Sequence, residues 1–209
     1  PARPARYRAA DVAGRGGRLT DTGRPRTWRL FIAHPVPDDL RVELQRQLAP
    51  YRRGHPNVRW TGPQTWHLTL LFLGAVAPGR IGELRRLVES VALDVQPYRV
   101  IVADGGGRVG RGEGVAWLGL SEGAGALIRT ATLAADRCPP DLTEGARPKR
   151  TPSAHLTVAR KADREVVGAL REQMHGGIGI SWEVDRLQLV RSHLEPTGAR
   201  YETLYEVTL

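Results

Sequence analysis

A single cysteine, Cys138, occurs in 209 residues, which excludes an internal disulfide and fits a reducing compartment. As a lone thiol near the end of an expected helix it reads as a structural residue. No apolar run approaches the roughly 18 residues of a membrane span, and the Arg-rich N-terminal stretch has no apolar signal segment. A cytoplasmic monomer without membrane contact is the expectation. His-Glu-x-x-His and clustered cysteines are both missing, so no metal site is foreseen. Gly-x-Ser-x-Gly is missing too, which argues against a Ser-His-Asp hydrolase. The glycine-rich stretch Asp104–Gly114 superficially looks like a phosphate-binding fingerprint. Such a loop should open a helix, and here a strand follows, so it is expected to be a flexible hairpin connection.

Acidic residues are outnumbered, 22 against 31 basic ones, for a net charge of +9. This favours anionic partners such as nucleic acid or phosphorylated metabolites. The excess is uneven. Residues 1–26 hold seven arginines against Asp11 and Asp21, so +5 of the +9 belongs to a segment with almost no aliphatic residues. That segment reads as a disordered basic tail, with an RNA-tethering arm as the sharper alternative. Residues 27–209 read as one domain, and the 41% hydrophobic content supplies one sizeable core or two small lobes sharing one.

What the chain does have is a repeated motif. His67-Leu-Thr-Leu lies within the apolar run Trp66–Gly74, and His155-Leu-Thr-Val lies within Ser153–Arg160. Shuffling this composition yields about 0.07 matches to His-apolar-Thr-apolar per chain, so a pair by chance is on the order of 1 in 500. Both runs are rich in β-branched and aliphatic residues without internal proline, as in half-buried strands. Alternation along a strand points His67 and Thr69 to one face and Leu68 and Leu70 to the other, and does the same for His155 and Thr157.

Around the motifs, Trp28–His34 reads as a first strand closed by Pro35 and Pro37. Asp38 and Asp39 are expected to cap a helix with Leu40, Leu44, Leu48 and Tyr51 on one stripe. Val58–Trp60 reads as a short strand. A second helix begins near Pro78, Tyr98–Ala103 and Val115–Leu120 read as strands, and Ala124–Cys138 reads as a third helix. Residues 139–152 form a basic loop that flanks a phosphate site or is merely solvated. Asp163 is expected to cap a fourth helix through Val166, Val167, Leu170 and Met174, followed by closing strands over 180–193 and 201–209. The fold class that results is α+β: bilobal, two antiparallel sheets with flanking helices around a central cleft.

Two imidazoles on opposite sides of phosphorus can cleave a phosphodiester, one neutral to accept a proton and one protonated to donate it. Histidine suits both jobs because its ordinary pKa of about 6.5 lets both forms coexist near neutrality. Thr69 and Thr157 can donate hydrogen bonds to the non-bridging oxygens, and Arg160 can add a charge-assisted contact. The scheme needs no metal or other cofactor. His34, His55, His175 and His193 have no such context and read as structural or surface residues.

With both motifs in view, the chain from about Arg29 to Leu209 resembles the 2H phosphoesterase superfamily, and within it the RNA 2′,3′-cyclic phosphodiesterases first named 2′-5′ RNA ligases. Arg29–Ala33, Val115–Gly119, Leu189–Leu194 and Gly198–Tyr201 match that family's pattern alongside the two motif blocks. The resemblance implies hydrolysis of a nucleoside or RNA 2′,3′-cyclic phosphate to the 2′-phosphate. It also implies that His67 protonates the leaving O3′, that His155 activates water, and that Thr69, Thr157 and Arg160 hold the phosphate. Some members of the family place a base-stacking aromatic near the start of the first strand, and that position falls on Phe31 or on the non-aromatic Ile32. The competing readings are another small cyclic phosphate of the ADP-ribose type, 2′-5′ ligation of RNA, and an idle cleft that only binds RNA.

Overall fold

The computed structural model describes residues 26–110, 114–142, 154–175, 178–196 and 198–209. The expected basic tail, all but its last residue, and most of the basic loop at 139–152 lie outside the described residues. In chain order come β1 (Trp28–Pro35), α1 (Asp38–Gly54), β2 (Arg59–Trp60), β3 (His67–Val76), α2 (Ile81–Leu93), β4 (Tyr98–Arg108) and β5 (Val115–Glu122). They are followed by α3 (Ala124–Arg137), β6 (His155–Arg160), α4 (Arg164–Gln173), β7 (Ser181–Val184), β8 (Arg186–Glu195) and β9 (Gly198–Thr208).

Helix ends largely follow local chemistry. Asp163 Oδ1 accepts the Val166 N–H at 2.9 Å and starts α4 as expected. In α1 the outcome differs: Pro37 takes the cap position without a side-chain bond, and Asp38 and Asp39 lie in the first turn. There they still complement the positive end of the helix dipole, as Arg52 and Arg53 complement the other end.

The expected flexible connection after Ala103 also differs, because β4 runs on through Asp104-Gly-Gly-Gly-Arg108. The glycines are there for packing. A Cβ on Gly105 would stand 2.2 Å from the Leu170 carbonyl oxygen, and one on Gly107 would stand 2.3 Å from Val167 Cγ2. Helix α4 thus rests its buried Val166, Val167 and Leu170 directly on the backbone of β4.

Two separate sheets were expected, and the strands instead form one antiparallel sheet in the order β7-β4-β5-β6-β3-β1-β8-β9, with β2 on β6. Its two halves meet at β3 and β6, where among the described residues the single pair is Leu68 and Leu156. Both leucines are fully buried in one continuous core that runs under both halves and takes in Leu44, Leu84, Leu127 and Leu170 from the four helices. At about 25 cal/mol per Å² of apolar surface, burying two such leucines contributes several kcal/mol, enough to hold the seam although its ladder is short. The opposite face of the sheet carries a second, small apolar cluster of Phe31, Ala33 and Val190.

Candidate active site

The seam sets the two motifs across from each other. With Leu68 opposite Leu156, the antiparallel alternation puts His67 across from Thr157 and Thr69 across from His155, on the face turned away from the core. The imidazoles are therefore diagonal, each beside the other motif's hydroxyl. All four side chains are half-buried.

A bulge brings in Arg160. Trp117 pairs with Thr157 and Ala116 with Ala159, which leaves Val158 as an extra residue in β6. Both Val158 and Ala159 are buried, and Arg160, three residues after Thr157, returns to the Thr157 face. Its charge is felt by His67 and by the Tyr201 hydroxyl. The three residues expected from the second motif, His155, Thr157 and Arg160, therefore stand together with His67 and Thr69.

His67 is tied down from below. Its Nδ1–H donates to the Thr65 carbonyl at 2.7 Å, which selects the tautomer with Nε2 available for proton transfer. Removal from water pushes its pKa down from 6.5 to about 4. Arg160, a protonated His155 and Arg41 push the same way, against the Thr65 carbonyl, which favours the charged ring. The free protein at neutral pH thus holds His67 neutral amid positive charge.

Phe31 is 3% exposed, and its ring packs on His67 with centroids 4.7 Å apart. It serves as a floor for the imidazole. Tyr201 stands edge-on to both rings, at 5.3 Å from His67 and 5.0 Å from Phe31. On the other motif, Trp117 lies 5.4 Å from the His155 ring. It fits there because the next strand offers glycine: a Cβ on Gly106 would stand 2.8 Å from Trp117 Nε1.

Two further residues connect the motifs. Thr61 Oγ1 lies 3.1 Å and 2.9 Å from the Thr157 and Val158 carbonyl oxygens, and it accepts the Trp66 indole N–H at 2.9 Å. Trp66 is buried and precedes His67, so this bridge links the backbone of one motif to the turn that aims the other. The bridge was not visible in the sequence, because it depends on Thr61 meeting carbonyls about a hundred residues away.

A cavity of about 640 Å³ opens beside His67. Phe31 and Val190 line it, with Arg41, Gln64, Gln188 and Tyr201 around them; His155 does not border it. Among the described residues no three His, Cys, Asp or Glu side chains come together as a metal site, and no helix is long and apolar enough to cross a membrane.

Paired His-x-Thr strands at the centre of one antiparallel sheet mark the protein as a 2H phosphoesterase. Residues 36–196 match the family described as the 2′-5′ RNA ligase superfamily, and the chain belongs to it. It is 30% identical over 179 residues to the RNA 2′,3′-cyclic phosphodiesterase of Archaeoglobus fulgidus, covering 84% of this chain and 97% of that one. It is 29% identical over 191 residues to the enzyme of the same name from Thermus thermophilus, covering 87% and 90%. Among solved structures, TT0787 of Thermus thermophilus superposes with a TM-score of 0.70 at 25% identity over 87% of this chain and 97% of that one. Apo LigT of E. coli superposes with 0.65 at 25% identity over 88% and 98%.

Proposed function

We propose that the protein hydrolyses the 2′,3′-cyclic phosphate of nucleosides or RNA ends to the 2′-phosphate, as the names of its relatives indicate for them. The observation that carries this reading is the diagonal arrangement of two imidazoles and two hydroxyls across the Leu68–Leu156 pair. Water attacks phosphorus as His155 takes its proton. The P–O3′ bond breaks and His67 gives a proton to O3′, leaving a 2′-phosphate and a 3′-hydroxyl. The Thr69 and Thr157 hydroxyls and the Arg160 guanidinium balance the charge on the non-bridging oxygens. The cavity beside His67 supports the division of labour, since a nucleoside held there keeps its O3′ next to His67 and leaves the His155 side to water.

Turnover of cytidine 2′,3′-cyclic phosphate, with the product followed by phosphorus NMR, tests the reading. Cytidine 2′-phosphate is the expected product. Formation of the 3′-phosphate, or turnover confined to an ADP-ribose-type cyclic phosphate or to ligation, would refute it, and tight RNA binding without turnover would leave only a binding module.

Thr69→Val and Thr157→Val each remove one donor and no proton carrier, so each is expected to lower kcat about a hundredfold. Full activity in either variant would reassign that threonine to strand packing.

The pH profile should carry the mark of His67. Its low pKa places the ascending limb of kcat/KM near pH 4. That limb belongs to His67 even though it is the donor, because the more acidic group of a coupled pair sets the lower limb whichever role it plays. A bound phosphate anion favours the charged ring, so the ascending limb of kcat should lie at higher pH. Coincident limbs in the two profiles would show that substrate does not reach the imidazole.

A further inference from the structure

The face that carries the motifs extends beyond the phosphate-handling residues. In β3 two bulges shift the register against β1, so that Ala33 pairs with Thr69 and Phe31 with Phe72. Phe72, three residues past Thr69, thereby joins the His67 face, as Arg160 joins the His155 face three residues past Thr157. Its ring centroid lies 6.0 Å from that of Phe31, at the end of a row of rings that starts with His67. Phe31 is buried, whereas Phe72 is 58% exposed. An exposed aromatic contiguous with a catalytic ring has no packing reason to be there.

Two arginines lie on the same face, Arg29 toward Phe72 and Arg59 beside Arg160. Arg29 is two residues before Phe31 in β1 and stands across from Ser192, which in turn faces Tyr201. Arg59 stands across from Arg160, and its guanidinium lies close to the β8–β9 turn, 3.5 Å from where a Cβ on Gly198 would be. Neighbouring arginines are neutralised: Arg191 by Glu202 at 3.6 Å and Arg200 by Glu195 at 2.7 Å. Among the described residues Arg29 and Arg59 have no carboxylate partner. An exposed aromatic sharing a face with uncompensated arginines is the combination that tracks a single strand of nucleic acid, bases stacking on the ring and phosphates meeting the guanidinium groups.

We infer that Phe72, Arg29 and Arg59 form a track for the single-stranded RNA that precedes the cyclic end, with Phe72 stacking a base upstream of the terminal nucleotide. The preferred substrate is then the end of an RNA chain, and a mononucleotide is handled without the track. This rests on the proposed hydrolysis only in placing the cyclic end at the two histidines.

The test compares the full-length protein with Phe72→Ala and the double variant Arg29→Ala/Arg59→Ala. One probe is cytidine 2′,3′-cyclic phosphate. The others are a short single-stranded RNA ending in a 2′,3′-cyclic phosphate, for turnover, and the same RNA ending in a 3′-phosphate, for binding by fluorescence anisotropy across a salt series. Phe72→Ala should weaken RNA binding about tenfold to a hundredfold. The double variant should weaken it and lower the slope of log affinity against log salt by about 1.4, the counterions of two phosphates on a single strand. Mononucleotide turnover should stay within about twofold in both variants, which also shows that they fold. Unchanged RNA affinity and salt slope would overturn the inference, and so would a parallel loss of mononucleotide turnover. If the parent protein bound RNA through these residues yet hydrolysed no cyclic phosphate, the track would stand and the hydrolase reading would fall.

Discussion

Replacing either His67 or His155 by alanine should lower turnover of cytidine 2′,3′-cyclic phosphate by about 10² to 10⁴, the range expected for loss of a general acid or base. The two losses should not add: once one proton path is gone the other has less to contribute, so the double variant should be little worse than either single one. Exhaustive chelation should leave the parent rate unchanged, because the proton inventory closes with two imidazoles. Normal turnover in both alanine variants, or activity abolished by a chelator and restored by a metal, would rule out the two-histidine mechanism. His67→Ala should also remove the limb near pH 4 and leave an ascending limb set by His155 alone, while His155→Ala should leave only a descending limb, because His67 must be protonated to donate.

The motif pair was legible because it needs only two short-range facts, alternation along a strand and repetition of a rare pattern. The sequence could not reveal that the two strands are direct neighbours, or that Leu68 pairs with Leu156 where the halves join into a single sheet. Arg160 shows the limit of alternation. It lies five residues after His155, so a regular strand would turn it to the other face; the bulge at Val158 turns it back, and that bulge exists only against Trp117 and Ala116 on β5. The same holds for Phe72 and the register shifts between β1 and β3. Exposure along β1 does not alternate either: the strand lies between β3 and β8, so Leu30 through His34 are all buried. The glycines of β4 look like a loop until α4 is placed on them.

His34 carries the other large effect, on stability. It is fully buried, its Nδ1–H donates to the Arg186 carbonyl at 2.7 Å, and its Nε2 accepts the Tyr98 hydroxyl at 2.9 Å. It thereby fastens the end of β1 and the start of β8 to the start of β4 in the other half of the sheet. Burial pushes its pKa down from 6.5 to about 4, against the Arg186 carbonyl and Asp185, which favour the charged ring. The unfolded chain therefore binds more protons between those two values. Stability from this group is fully present above about pH 6.5, falls as the pH drops toward 4, and changes no further below that; the total is about 3 kcal/mol. Glutamine can donate to the carbonyl and accept from Tyr98 without titrating. Urea unfolding of His34→Gln between pH 7 and pH 4 should thus show a stability loss about 3 kcal/mol smaller than that of the parent protein. His34→Ala should be less stable than His34→Gln at every pH, because it empties the ring's volume and strands both partners. His67 has the same low pKa, so adding His67→Ala to His34→Gln should flatten the remaining histidine-linked slope. An unchanged pH dependence in His34→Gln would mean that His34 meets water in the native state and that the connection across the sheet is not closed.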